Sequence, residues 1–172
     1  RSSYRAAKDS TEFAQQRATD DNVQITSYSL QNAKDNSDAV KESIDFTQEL
    51  QKAGDLIYVN PFLFVDFKAG FAAESRILPV EWPYALSERV SIMIDVPEGY
   101  EVEALPKSKT LQFGQDMSVR TRVNAANGKI IISYTYVRKN MIVDAEMYSD
   151  LRAYYGDIES TIQEMLILRK KS

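Results

Sequence analysis

The side chains of this sequence that could do acid–base chemistry are carboxylates, lysines and tyrosines, because its 172 residues include no histidine and no cysteine. A Ser-His-Asp triad and a Cys-His pair are therefore excluded. Zinc is held mainly by His and Cys, so a zinc site is not expected either. No GxxxxGKS/T or GxGxxG motif is present to cradle a phosphate or dinucleotide cofactor. The sequence predicts no catalytic residue, no metal site and no cofactor.

The composition is that of a folded, soluble chain. Hydrophobic residues make up 44% and charged residues 27%, which suits a buried core with a polar surface. The 21 basic and 25 acidic residues leave a net charge of −4, which argues against general nucleic-acid binding. The basic cluster Arg169 to Lys171 is interpreted as a solvated tail. No apolar run approaches the roughly 18 residues that a membrane span needs.

Aromatic residues are the remaining candidates for a binding site. Trp82 is the only tryptophan, and it lies close to Tyr84 in the segment Pro79 to Tyr84. An exposed pair of this kind could stack on a sugar ring or hold a peptide. The alternative is a structural aromatic that closes a sheet edge between two prolines, and this interpretation is preferred.

A second group of aromatic residues could face a neighbouring domain. Phe62, Phe64 and Phe67 lie in one apolar run, and Phe13 lies in the N-terminal segment. Such a run is either core or a surface against another domain. A domain taken from a larger protein often leaves an apolar patch where its neighbour packed.

Strands are predicted wherever the apolar residues alternate. Val90, Ile92, Ile94 and Val96 share one face of the clearest strand, and all four are expected in the core. Asn127-Gly128 is typical of a tight hairpin turn. Further strands are expected around residues 23–27, 40–46, 55–60, 100–105, 110–113, 117–123, 129–137 and 165–170.

Helices are expected at the two ends. Residues 4–18 contain good helix formers without Pro or Gly, which predicts a short helix. Apolar residues at helical spacing predict a second helix over about residues 145–163, with Asp144 as its N-cap and Tyr154-Tyr155 on its docking face. The tyrosine rings should be buried with their hydroxyls in water.

These elements predict a mainly β chain: an antiparallel β-sandwich with a short N-terminal helix and a C-terminal helix. Residues 1–20 are interpreted as a helical linker or the tail of a preceding module, and residues 21–172 as the sandwich domain. Because the sequence begins at Arg1 rather than Met, it is interpreted as an internal piece of a longer protein.

Five short motifs, in their order and spacing, resemble the C-terminal domain of bacterial transglutaminase-like proteins. In that family a β-rich domain precedes a papain-like transglutaminase core, and a second domain of unknown function closes the chain. The resemblance covers about residues 23–170. The motifs are Asn60-Pro61, Arg76 to Val80, Pro97 to Tyr100, Leu105 to Lys107, and the Tyr-x-x-Leu-Arg run that begins at Tyr148.

The resemblance implies a non-catalytic accessory domain in a periplasmic or exported protein. The Cys, His and Asp of the family's catalytic core would lie upstream, so no catalytic residue is carried over to this sequence. The implied partner is the upstream transglutaminase-like domain, which this domain would stabilise or whose substrate access it would shape. The alternative function is a glycan- or peptide-binding module that uses the aromatics near Trp82.

Overall fold

The computed structural model describes residue 15 and residues 23–33, 38–65, 67 and 70–171. The chain divides into two compact units, Arg1–Leu50 and Gln51–Ser172. The predicted helix over residues 4–18 lies outside the described residues except for Gln15, and so does the domain boundary expected at residue 20.

In chain order the strands are β1 (Gln24–Gln31), β2 (Lys41–Thr47), β3 (Gln51–Ala53), β4 (Leu56–Val59), β5 (Val80–Glu81), β6 (Leu86–Asp95), β7 (Tyr100–Ala104), β8 (Thr110–Phe113), β9 (Met117–Ala126), β10 (Lys129–Arg138), β11 (Ile142–Val143) and β12 (Leu166–Lys170).

The first unit contains an antiparallel hairpin of β1 and β2. Gln24 lies opposite Thr47, and Gln31 lies opposite Lys41. Both strands were expected from the alternation of their apolar residues. The Tyr28 hydroxyl of β1 donates an exposed hydrogen bond of 3.0 Å to Glu42 of β2, which links the two strands through their side chains.

The larger sheet of the second unit is antiparallel, in the order β6-β10-β9-β8. Its centre is the β9–β10 hairpin, in which Lys129 pairs with Ala126 across Asn127-Gly128. Asn127 and Gly128 have φ values of 53° and 73°, which is the conformation that a two-residue primed turn requires. The predicted hairpin is confirmed.

One face of β10 forms the core of this sheet. Ile130 and Ile132 are fully buried, and Tyr134 and Tyr136 are almost so. Ile94 and Ile92 of β6 lie directly opposite Ile130 and Ile132. They share the inner face, as predicted.

The four β6 residues that were expected in the core are buried less deeply than those of β10. Val90, Ile92, Ile94 and Val96 are only half-buried. The physical reason is position: β6 is an edge strand, so its residues have a strand neighbour on one side, whereas those of β10 have one on both sides.

The smaller sheet is also antiparallel, in the order β3-β4-β12-β7. β4 ends at Val59, before Pro61, which has no N–H to donate to a ladder. Beyond it the Phe62 N–H donates to the Asn60 side chain at 2.9 Å, which forms a turn. Arg169 and Lys170 belong to β12 rather than to a solvated tail, and Arg169 forms an ion pair of 2.6 Å with Glu103 of β7.

The helix predicted near the C-terminus is confirmed. A 3-10 turn, Ala145–Met147, leads into the α-helix α1, Tyr148–Ile162. Asp144 precedes the 3-10 turn rather than α1, and its side chain makes no capping hydrogen bond; its backbone carbonyl accepts from the Met147 N–H at 3.0 Å. The buried residues of α1 recur every three or four positions: Tyr148, Leu151, Tyr154, Tyr155, Ile158 and Thr161.

The helix packs on the larger sheet through tyrosines. The hydroxyls of Tyr155 and Tyr136 share a buried hydrogen bond of 2.9 Å. The ring of Tyr154 lies 5.8 Å from that of Phe113 in β8. Both helix tyrosines are buried, as expected, but their hydroxyls are not in water; the Tyr154 hydroxyl is buried without a hydrogen-bond partner among the described residues. The expected fold class, mainly β with antiparallel sheets and a C-terminal helix, is confirmed.

Glu164, just after α1, joins the end of the helix to the segment between β7 and β8. Its carboxylate accepts hydrogen bonds from the Lys107 N–H at 2.7 Å and from the Lys109 ammonium at 2.5 Å. Desolvation alone would raise the pKa of Glu164, but the hydrogen bonds and charges of the two lysines outweigh it and hold that pKa below its usual value.

We expect the two aligned isoleucines of the larger sheet to differ in their effect on stability. Ile132→Ala leaves a cavity in a fully buried position and should lower the free energy of unfolding by about 2–5 kcal/mol. Ile92→Ala, on the half-buried edge, should cost less than about 2 kcal/mol. Met93→Ala, on the exposed face of the same strand, is the control. Urea unfolding of the monomeric chain at low concentration measures all three, and equal losses for Ile132→Ala and Ile92→Ala would contradict the assignment of β6 as an edge.

We expect the buried tyrosines to make the fold sensitive to alkali. Desolvation raises the pKa of Tyr134, Tyr136 and Tyr154 well above the ordinary value of about 10, with further contributions from neighbouring groups. The folded state therefore keeps protons that the unfolded state loses above pH ~10, so stability falls as the pH rises beyond that value. Unfolding curves at increasing pH, read together with tyrosinate absorbance, should show ionisation of these groups only on unfolding.

Tyr154→Phe separates this effect from simple packing. Its hydroxyl is buried without a described partner, so removing it should leave stability at neutral pH unchanged or higher and make the alkaline loss smaller. Tyr84→Phe, which removes an exposed hydroxyl, should change the free energy of unfolding at neutral pH by less than about 0.5 kcal/mol. A marked loss of stability at neutral pH in Tyr154→Phe would show that this hydroxyl has a partner.

Candidate functional site

A short ladder joins two distant parts of the second unit. β5 and β11 pair antiparallel, with Val80 opposite Val143, and the Trp82 N–H extends the pairing by donating to the Met141 carbonyl at 2.8 Å. Val80 and Val143 are buried. These two valines anchor the ladder, and the residues on either side of them are left near the surface.

Trp82 is fixed in place by Arg138, at the end of β10. The guanidinium carbon lies 4.5 Å from the centre of the indole ring, within the range of a cation–π contact. The same guanidinium donates a hydrogen bond of 3.1 Å to the Tyr84 carbonyl. Arg138 is itself only 6% exposed, and its Nε has no hydrogen-bond partner among the described residues. One face of the indole ring is therefore occupied by a buried cation and is not open to a ligand.

Phe71 holds the segment before β5 against the helix. Its ring makes edge-to-face contacts with three others, at 4.7 Å from Tyr155, 5.8 Å from Tyr148 and 6.4 Å from Trp82. The Tyr148 hydroxyl adds a hydrogen bond of 2.9 Å to the Ala73 carbonyl. Residues 70–79 contain neither helix nor strand, so these aromatic contacts position them.

Large apolar side chains are exposed on both chain segments that the ladder joins. Ile77 is 95% exposed, Leu78 is 67% and Tyr84 is 60%, although the neighbouring Val80 is buried. Met141 and Ile142 are also exposed on the other segment. Large exposed apolar side chains on two paired segments are candidates for a site of interaction. We call this set the apolar rim: Ile77, Leu78, Tyr84, Met141 and Ile142.

The structure brings together some of the aromatic residues that the sequence singled out. Trp82 and Tyr84 lie at the apolar rim, and the Phe67 ring lies 5.3 Å from Tyr155, next to Phe71. Phe62 is buried and Phe64 is half-buried, in the turn after β4. Phe13 lies outside the described residues.

Sequence reasoning missed the residues that give this site its shape. Arg138 follows a clear strand pattern and carried no sign that its charge would be buried. The Ile77-Leu78 pair did carry a signal, because it precedes Pro79 in a stretch without strand or helix periodicity, where an apolar pair has no core face to occupy.

The arrangement places exposed apolar side chains on both of the paired segments. Over the residues that the structure describes, no three carboxylates lie close enough together to hold a metal ion. Tyr134, Tyr136, Tyr154 and Glu164 have clearly shifted pKa values, and none of these four residues belongs to the apolar rim.

Within the described part of the chain, no helix has both the length and the apolar character needed to cross a membrane.

Comparison with known proteins places the second unit in a family. A family model described as "Domain of Unknown Function with solved-structure structure (DUF3858)" matches residues 55–168. A solved structure described as a "putative protease" from Parabacteroides distasonis has a similar fold, with a TM-score of 0.53 and 15% sequence identity. The alignment covers 66% of this chain and only 23% of that one, so this chain spans less than a quarter of the longer protein. A search of curated proteins finds no match. The chain belongs to the DUF3858 family of domains of unknown function.

Proposed function

We propose that this chain is a non-catalytic accessory domain that packs against a transglutaminase-like, papain-like core of the same polypeptide. It stabilises that core or shapes access to its substrate site. The parent protein would be periplasmic or exported. The observation that carries the proposal is the apolar rim, in which Ile77 and Leu78 are extensively exposed next to a rigidly held aromatic cluster.

Two further observations support an accessory role. The chain has neither Cys nor His, so it lacks the usual thiolate or imidazole for acyl transfer. The similar fold from Parabacteroides distasonis occupies less than a quarter of a longer chain, which is consistent with a module attached to other domains. Contacts between domains of one chain typically bury about 600–1,500 Å², and an apolar rim of five residues can form the centre of such a contact.

Glycan or peptide binding near Trp82 is the second candidate. The exposed Tyr84 ring favours it, because an aromatic platform needs an open face. The occupied face of Trp82 argues against it, since Arg138 lies where a sugar ring would stack. Binding to a glycan array that disappears in both Trp82→Ala and Tyr84→Ala would favour this second function.

We expect the isolated chain to be inert towards peptides, esters and amide cross-linking substrates. Its Ser, Thr and Lys side chains have no imidazole to activate them as a general base, and the chain has no thiolate to serve as the nucleophile instead. Assays of the purified chain with each substrate class measure this. Turnover that copurifies with the chain and is lost on mutation of one of its own residues would contradict the non-catalytic assignment.

We expect the apolar rim to contact the catalytic core. In the whole parent protein, Ile77→Ser combined with Leu78→Ser should lower the melting temperature of the core, as measured by calorimetry. When core and chain are purified separately, the same double substitution should weaken the binding between them by about tenfold or more. Met165→Ser, which changes an exposed apolar residue outside the rim, is the matched control. A parent polypeptide without a Cys-His core would refute the proposal. So would a core whose melting temperature and affinity for this chain are unchanged by the rim substitutions.

A further inference from the structure

The larger sheet ends on one side at a long strand. β6 lies at that edge, and among residues 23–33, 38–65, 67 and 70–171 no strand pairs with its outer side. It is ten residues long, whereas β8 at the opposite edge has four. An edge strand of this length exposes a row of backbone donors and acceptors that another strand can pair with.

The backbone groups that point outward can be assigned. The Val96 N–H donates to the Gly128 carbonyl at 2.8 Å, on the β10 side, and the register of β6 against β10 has no shift. Since both backbone groups of a residue in an antiparallel ladder point to the same side, those of Ile94, Ile92 and Val90 face β10. The N–H and C=O groups of the alternate residues face outward: Ser87, Arg89, Ser91, Met93 and Asp95.

We propose that β6 pairs antiparallel with β6 of a second copy of this chain, about a two-fold axis at Ile92. In this register Arg89 lies opposite Asp95 of the second copy, and Ser91 lies opposite Met93. Each of these pairs uses outward-facing backbone groups. The two four-stranded sheets become one continuous sheet of eight strands.

Charge complementarity selects this register. Arg89 and Asp95 are both exposed, and the Asp95 side chain stays 76% exposed despite its ion pair with Lys129. The two-fold axis forms the Arg89–Asp95 pair twice, and opposite charges directly across a ladder stabilise it. Moving the axis by one residue in either direction still pairs the outward-facing backbone groups of the two copies. An axis at Ser91 places Arg89 opposite Met93, and an axis at Met93 places Arg89 opposite Pro97. Either shift loses both charge pairs.

The half-buried inner face of β6 supports the same register. Ile92 lies opposite Ile92 of the second copy, and Val90 lies opposite Ile94. The residues of these pairs do not hydrogen-bond to each other, and their Cα atoms approach to about 4.5 Å. Their side chains are therefore closer together than those of the hydrogen-bonded pairs. The apolar layer that stops at β6 in one chain continues across the axis.

Sedimentation equilibrium of the whole chain tests the charge pairs. The chain should associate into a dimer of twice 19.6 kDa. Arg89→Asp, or Asp95→Arg, should raise the dissociation constant by about tenfold or more. The double variant Arg89→Asp with Asp95→Arg should restore it, because the pairs re-form with reversed signs. Arg122→Asp, an equal charge change on the outer face of the interior strand β9, should have no effect.

Disulfide trapping tests the register. The natural chain has no cysteine, so a single introduced cysteine can bridge only to a second copy. Ile92→Cys should give a covalent dimer under mild oxidation, because its Cα–Cα distance across the axis suits a disulfide. Met93→Cys should not, since it faces Ser91 of the second copy and lies about 7–8 Å from Met93. Circular dichroism confirms that each variant is folded.

A natural chain that stays monomeric at all concentrations would overturn the proposal. So would a dimer that Arg89→Asp leaves intact, or one that Met93→Cys traps as readily as Ile92→Cys.

Discussion

Tyr155 lies where three parts of the second unit meet. Its hydroxyl shares a buried hydrogen bond with Tyr136 of β10, and its ring contacts Phe71 and Phe67. The helix, the larger sheet and the irregular segment before β5 are therefore joined at one side chain. A buried hydroxyl pair of this kind stabilises the fold only while each oxygen keeps the other as its partner and both rings remain packed. The position of the apolar rim depends on this contact, because Phe71 also touches Trp82.

Much of the fold could be predicted because its signals are local. The Asn127-Gly128 turn fixes the β9–β10 register by itself, and the spacing of Leu151, Tyr155 and Ile158 defines the buried face of α1. The alternation in β6 identified its inner face. The alternation could not give the degree of burial, because an edge strand and a central strand show the same alternation. Strand order depends on contacts between residues far apart in sequence.

The candidate site was less predictable for the same reason. Trp82 and Tyr84 were found by type, since tryptophan and exposed tyrosine are common in binding surfaces. What decides their availability is Arg138, more than fifty positions away, and no local pattern places its guanidinium over the indole ring. Burial of that cation is tolerated because the indole ring and the Tyr84 carbonyl replace part of its water. Such compensation appears only when the strands are assembled.

The position of β12 has a consequence for how the chain is made. β12 lies between β4 and β7, so residues 166–170 supply one of the two interior strands of the smaller sheet. Leu168 of β12 pairs with Ile57, more than a hundred residues earlier. During synthesis, β4 and β7 leave the ribosome with no partner between them. The sheet can close only after α1 and β12 have emerged, which makes its folding late and dominated by long loop closure. Until then the side chains of β4 that the folded unit buries are exposed to other chains, and strands left unpaired in this way favour aggregation.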